Sequence, residues 1–136
     1  MPEWPDVEIF RRYFQRTSRH HKIQDVEVAA RRVAKGRPGE VAKALTGRRF
    51  TGSRRHGKHC FAATDRADVW LEMHFGMTGY LKYFATPGGE EKYTRALVRF
   101  PRGARLAYVS RRQLGYLRIC RDPDERIAEE KLGPDA

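Results

Sequence analysis

The chain has 136 residues, the length of one ordinary domain, and 40% of them are hydrophobic, enough for a modest core. Its 28 Lys and Arg outnumber its 17 Asp and Glu for a net charge of +11. Such a field attracts polyanions, with nucleic acid the leading partner and an anionic membrane surface second. No apolar run of about 18 residues is present to span a bilayer and no basic-then-apolar pattern opens the chain, so the expected compartment is the cytoplasm.

The first eight residues, Met1-Pro2-Glu3-Trp4-Pro5-Asp6-Val7-Glu8, hold two prolines and three carboxylates before any core begins. They admit two readings. One is a proline-punctuated, acidic helix start, since both residue types favour helix N-termini. The other is chemical: once Met1 is removed, Pro2 carries a free secondary amine with Glu3 beside it. The spacing predicts a helix over 5–17, with Val7, Phe10 and Phe14 on one face and Ile9 and Tyr13 widening it. Asp6 and Glu8 lie at its start and Arg11, Arg12 and Arg16 towards its end, both favourable signs for the helix dipole.

A basic loop over 18–22 with His20 and His21 leads to a strand over 23–28. A Gly/Pro turn at 36–39, a short helix over 40–45 ended by Gly47, and a strand over 48–53 follow. Arg54-Arg55-His56-Gly57-Lys58-His59 is the densest cationic run and reads as a basic loop with a glycine in its middle. Strands are expected over 60–63, 69–75 and 80–84, the last two separated by Gly76-Met77-Thr78-Gly79. A turn at 87–89 precedes a hairpin of 96–100 and 105–109. Ser110-Arg111-Arg112-Gln113-Leu114-Gly115 is a second basic loop, 116–120 a last strand, and 124–132 a helix opened by Asp122-Pro123 and stopped by Gly133-Pro134. Many short strands between two terminal helices predict a mainly β fold: an antiparallel sandwich or barrel flanked by an N-terminal and a C-terminal helix.

Several residues have plain readings. Cys60 and Cys120 lie far apart and at no metal spacing. They are expected as buried free thiols in a reducing cytosol, with one disulfide as the alternative, and cannot by themselves make a four-cysteine zinc site. His20, His21, His56 and His59 read as polar loop or phosphate-facing groups, and His74 as a structural residue at a strand end. Trp70, Tyr80, Tyr83 and Phe84 read as strand core or cross-strand pairs. Glu72, in an apolar strand, either faces solvent or pairs with an arginine.

The loops with Lys58, with Met77 and with Arg111-Arg112 each carry residues a simple turn does not need. Lysine and arginine clamp phosphates. An apolar side chain between two glycines suits insertion into a base stack from which a nucleotide has been taken out.

The opening octapeptide, Gly57-Lys58, His74-Phe75-Gly76-Met77-Thr78-Gly79, Arg111-Arg112-Gln113-Leu114-Gly115 and Leu132-Gly133-Pro134-Asp135 occur in the order and spacing of one enzyme family. Across essentially its whole length the chain resembles the amino-terminal catalytic domain of the formamidopyrimidine-DNA glycosylase / endonuclease VIII family. The octapeptide and the His-x-Gly-Met-Thr-Gly loop are its most specific marks. The resemblance implies a two-layer β-sandwich with a helix at each end. It also implies a bifunctional activity on double-stranded DNA: excision of oxidised bases, then lyase cleavage at the abasic site. It maps the nucleophile onto Pro2, the catalytic acid onto Glu3 and a phosphate-contacting lysine onto Lys58. Met77 matches a void-filling methionine, and Arg112 an arginine inserted opposite the estranged base. The expected DNA-contacting set is Arg55, His74, Met77, Arg111, Arg112 and Leu114.

The chemistry is sensible in its own terms. An α-amine has a pKa of about 8, leaving an appreciable neutral fraction near neutral pH. Its attack on C1′ of a deoxyribose displaces the base and forms an iminium ion, which acidifies the C2′ proton and opens elimination of the phosphates.

The sequence departs from the family pattern at Trp4 (usually Leu), Asp6 (usually Glu), Ser110 and Arg111 (usually Asp and Pro) and Leu114 (usually Phe). It also ends at Ala136, where the family's helix-two-turn-helix and zinc-finger parts would follow. The expectation is therefore a catalytic domain spanning 1–136, with no zinc or other cofactor in this chain. It is expected to act as a monomer, to bind no membrane, to hold DNA weakly with steep salt dependence and to show little or no glycosylase activity alone. Two other readings stand beside it: a non-catalytic DNA- or RNA-binding module of the same ancestry, and an RNA-binding or ribosome-associated domain.

Overall fold

Period-two alternation of apolar residues draws the strands into two layers. A computed structural model describes residues 4–129, apart from the side chains of Trp4 and Pro5. One four-stranded sheet runs in the order β1 (Asp25–Val28), β6 (Thr94–Arg99), β7 (Arg105–Val109), β5 (Tyr80–Phe84). The other runs β2 (Phe50–His56), β3 (His59–Thr64), β4 (Trp70–His74), β8 (Tyr116–Cys120). Every neighbouring pair is antiparallel, so the expected antiparallel sandwich with flanking helices is the fold observed.

The layers meet through alternate residues of their strands. Cys60 and Ala62 of β3, Leu71 and Met73 of β4 and Leu117 of β8 face Val26, Leu81, Ala96, Val98, Leu106 and Tyr108 of the first sheet in a single core. Two helices close its open sides. α1 (Trp4–Ser18) lies along β2 and β5, and α2 (Glu40–Leu45) lies between β1 and β8. α1 places Val7 and Phe14, both almost fully buried, into the core. Phe14 meets Phe50 edge-on at 4.9 Å, and the Tyr13 hydroxyl accepts the backbone N–H of Tyr83 at 2.7 Å. α3 (Pro123–Glu129) follows β8 and begins with Pro123, one residue before the expected start. Its start is secured by Asp122, whose side chain accepts the N–H of Asp124.

Two expectations about the strands need correction. The run of cations before Lys58 is not a loop: Arg54, Arg55 and His56 extend β2, and only Gly57 and Lys58 form the turn to β3. Alternating side chains keep a basic strand as regular as an apolar one when its residues find partners on both faces. β6 starts two residues early, at Thr94, because a bulge between Thr94 and Ala96 absorbs Arg95. Glu72 does not face solvent. It is fully buried and paired with Arg126, the second of the two readings offered for it.

Phe14→Ala, by emptying the contact between α1 and Phe50, is expected to lower the free energy of unfolding by about 3–5 kcal/mol, measured by urea denaturation.

Candidate nucleic-acid interface

Strand register gathers three chain-distant loops at one end of the second sheet. His59, the first residue of β3, pairs with His74, the last of β4, and His74 pairs with Tyr116, the first of β8. The Gly57-Lys58 turn, the 75–79 loop and the 110–115 loop therefore leave the sheet side by side. α1 starts at this same end. Its later turns meet Phe50 at the far end of β2, whereas Phe10 packs on Phe75 at 4.7 Å and Glu8 lies 3.4 Å from Arg55.

Glu8 fixes that start. Its carboxylate takes both Nε (2.9 Å) and Nη2 (2.7 Å) of Arg11 and Nε of Arg12 (2.9 Å). The Arg11 hydrogen bond, working against burial and aided by Arg12, holds the Glu8 carboxyl down at about 2. Arg11 also donates to Ser53 of β2, and Ser53 to Gln15. Arg55 joins the Glu8 carboxylate to the turn beyond it by donating to the carbonyl of Gly57 at 3.0 Å.

The 75–79 and 110–115 loops touch backbone to backbone. Gly76 has φ +65°, and a Cβ there would lie 2.6 Å from the Gly115 nitrogen. A Cβ on Gly115 would overlap the carbonyl of His74 and the hydroxyl of Tyr108. Phe75, buried, ties the first loop to α1, and the Gly79 N–H closes it on the Phe75 carbonyl at 2.8 Å. The outcome is a shared tip. Met77 is 48% and Leu114 44% exposed, and Arg112 Nη1 lies 3.7 Å from the Met77 sulfur. A small tip that puts two exposed apolar side chains and an arginine side by side suits insertion into stacked bases.

Behind the tip lies a polar network on the outer face of the second sheet. The buried Glu72 carboxylate accepts the Tyr116 hydroxyl at 2.6 Å and Arg126 Nε at 2.6 Å, and lies 2.9 Å from His59 Nδ1. His74 stacks on Tyr116 with centroids 5.2 Å apart, and its Nδ1 accepts the N–H of Gly76 at 3.2 Å. Burial first, then nearby His59, pushes the His74 imidazole below its ordinary value. Burial pushes Glu72 up, but hydrogen bonds from His59 and Tyr116 and the charge of Arg126 outweigh it and hold the carboxyl below the ordinary range.

Of the residues singled out from sequence, Met77, Arg112 and Leu114 come together, and Lys58 stands on the adjoining turn. Arg55 and His74 sit at this end too, engaged with Glu8 and the Gly57 carbonyl and with the 75–79 loop. Arg111 is exposed, its guanidinium 5.8 Å over the ring of Tyr93. Pro2 and Glu3 lie outside the described residues. Sequence reading missed Arg95, which donates to the carbonyls of Ser110 (2.8 Å) and Arg111 (3.1 Å) and so braces the second loop. It also missed the joining of His59, Glu72, Tyr116 and Arg126. The one available signal was a lone carboxylate inside an apolar strand.

The profile of the formamidopyrimidine-DNA glycosylase N-terminal domain matches residues 1–117. The formamidopyrimidine-DNA glycosylase of Pelobacter propionicus is 31% identical over 99% of this chain and 50% of its own length. That of Streptomyces avermitilis is 36% identical over 88% of this chain and 43% of its own. Among solved structures, a MutM in complex with DNA containing carbocyclic 8-oxo-G superposes with a TM-score of 0.89 at 25% identity, covering 98% of this chain and 50% of that one. The Lactococcus lactis formamidopyrimidine-DNA glycosylase, non-covalently bound to DNA with an AP site, gives 0.89 at 24%, covering 98% and 51%. The chain thus spans about half the length of the curated relatives it matches. Among the described residues, no helix is long and apolar enough to cross a membrane.

The network makes stability acid-sensitive in two windows. His74 has a folded pKa below its ordinary 6.5, so its contribution is complete above 6.5 and is lost as pH falls through the folded value. Glu72, folded below 4.5, contributes fully above 4.5 and loses that contribution at still lower pH, where Glu8 joins it. The urea midpoint is expected to fall in two steps on acidification, the first abolished by His74→Gln and the second reduced by Glu72→Gln.

Proposed function

The chain belongs to the formamidopyrimidine-DNA glycosylase family, and from that we propose that it carries the chemistry of a base-excision DNA glycosylase and abasic-site lyase. The observation that carries the reading is the shared tip of Met77, Arg112 and Leu114, beside the Lys58 turn and at the end where α1 begins. The relatives solved with AP-site and 8-oxo-G DNA support duplex DNA with abasic sites or oxidised bases as the substrate class.

In this reading the tip enters the duplex where a damaged nucleotide has been turned out. Met77 fills the vacated space, Arg112 meets the estranged base and Leu114 wedges beside it, an apolar contact without aromatic stacking. Lys58 and the exposed Arg111 contact phosphates, as cations on loops do. Arg55 and His74 serve the interface by holding the Lys58 turn and the Met77 loop. The neutral Pro2 nitrogen attacks C1′ and the damaged base departs with a proton. Glu3 moves protons as the sugar ring opens, help typically worth about 10²–10⁴ in rate. The resulting iminium makes the C2′ proton acidic. Its removal expels the 3′-phosphate by β-elimination, and δ-elimination then expels the 5′-phosphate. The iminium demands that Met1 be removed, which intact mass spectrometry reads directly.

The test is borohydride trapping of the mature chain on an abasic-site duplex. A covalent adduct is expected, reduced about 10²-fold or more in Pro2→Gly while equilibrium DNA binding is unchanged. DNA binding without any adduct would overturn the catalytic reading in favour of a non-catalytic DNA-binding module.

A further inference from the structure

We infer that Glu72 is a positioning residue that holds the three loops of the interface in register with one another. The role of those loops rests on the reading above; the way they are held does not. Glu72 lies in the middle of β4, is fully buried, and is reached from three other elements: β3 by His59, β8 by Tyr116 and α3 by Arg126, itself only 4% exposed. Each strand partner is the root of one loop. His59 directly follows Lys58, and Tyr116 directly follows Gly115. The third root is His74, two residues along β4 from Glu72. It stacks on Tyr116, packs at 5.2 Å against His59, and holds the Gly76 N–H at the base of the Met77 loop. The charged and titratable groups around the carboxylate are therefore His59, His74, Tyr116, Arg126, its cross-strand neighbour Arg118, and Cys120.

Energetics favour a positioning role over a stabilising one. Burying a carboxylate and a guanidinium costs each its hydration, and an apolar pair of the same volume often serves stability equally well. What an apolar pair lacks is direction. Two carboxylate oxygens with short hydrogen bonds to three elements fix the spacing of β3, β4 and β8 at the end from which Lys58, Met77 and Arg112 project. Arg126 extends that constraint to α3, so the orientation of α3 and the spacing of the loops are set by the same carboxylate.

Two variants of the full chain test this. Glu72→Met combined with Arg126→Met removes both buried charges without leaving either unpaired, and Glu72→Gln removes the charge alone. Three measurements apply: cooperativity of urea unfolding, backbone amide NMR signals, and affinity for a duplex containing a tetrahydrofuran abasic analogue. The double variant is expected to unfold cooperatively. Its amide signals at 57–59, 74–79 and 110–116 are expected to move or broaden while those of β1 and β6 stay in place. Its affinity for the abasic duplex is expected to fall about tenfold or more, as small misplacements at a site do. Wild-type loop signals, or wild-type affinity, would overturn the inference. If the double variant does not unfold cooperatively, Glu72→Gln decides by the same two criteria. The two readings fail separately: absence of a borohydride adduct with the unsubstituted chain removes the lyase activity, whereas unmoved loop signals remove the positioning role whatever the trapping result.

Discussion

The contact that the interface depends on is the approach of two backbones at Gly76 and Gly115. Neither position has room for a single extra carbon. Because the loops meet there without side chains between them, Met77, Arg112 and Leu114 arise from chain segments 35 residues apart, from 77 to 112, yet form one tip. Everything behind that contact keeps it in place. Phe75 anchors one loop to α1, Arg95 clasps the carbonyls of the other, and the Tyr108 hydroxyl donates to the carbonyl of His74 between them. The sandwich is the frame, and its register brings the roots of the loops together.

The net charge of +11 divides into two populations. One is internal. Arg11, Arg55, Arg95 and Arg126 are turned towards carboxylates and carbonyls of their own chain, where a planar, always-charged donor fork suits several acceptors at once. The other faces outwards, with Arg111 and Arg112 at the second loop among its exposed members. A count of cations from sequence merges the two. Only the second is free to contact a polyanion directly, while the first braces the chain's own loops and helix ends.

Most of the architecture could be read from residue order. Periodicity located α1, α2, β5, β7 and β8 closely, and glycine-bounded breaks located the loops. Local pattern misjudged the places where partners come from elsewhere in the chain. β2 runs on through Arg54, Arg55 and His56 because α1 and α3 supply Glu8 to Arg55 and Asp124 to Arg54. The bulge at Arg95 has no signature in its own segment, since its reason is the Ser110 loop. Glu72 stood out as a carboxylate among apolar neighbours, but its joining to residues 59 and 116 is fixed by strand register and that to 126 by the placement of α3, neither of which one strand can reveal. The spacing of motifs drew attention to Met77, Arg112 and Leu114; only the fold made them neighbours.

The two cysteines carry a consequence of their own. Neither is in a disulfide; Cys60 is fully buried, Cys120 is partly so, and burial pushes both thiols up to about 12. Peroxides and other electrophilic oxidants react with thiolate, and burial holds both groups in the protonated form at neutral pH. A protein whose proposed targets are bases already damaged by oxidation thus holds these two thiols in their least oxidisable form.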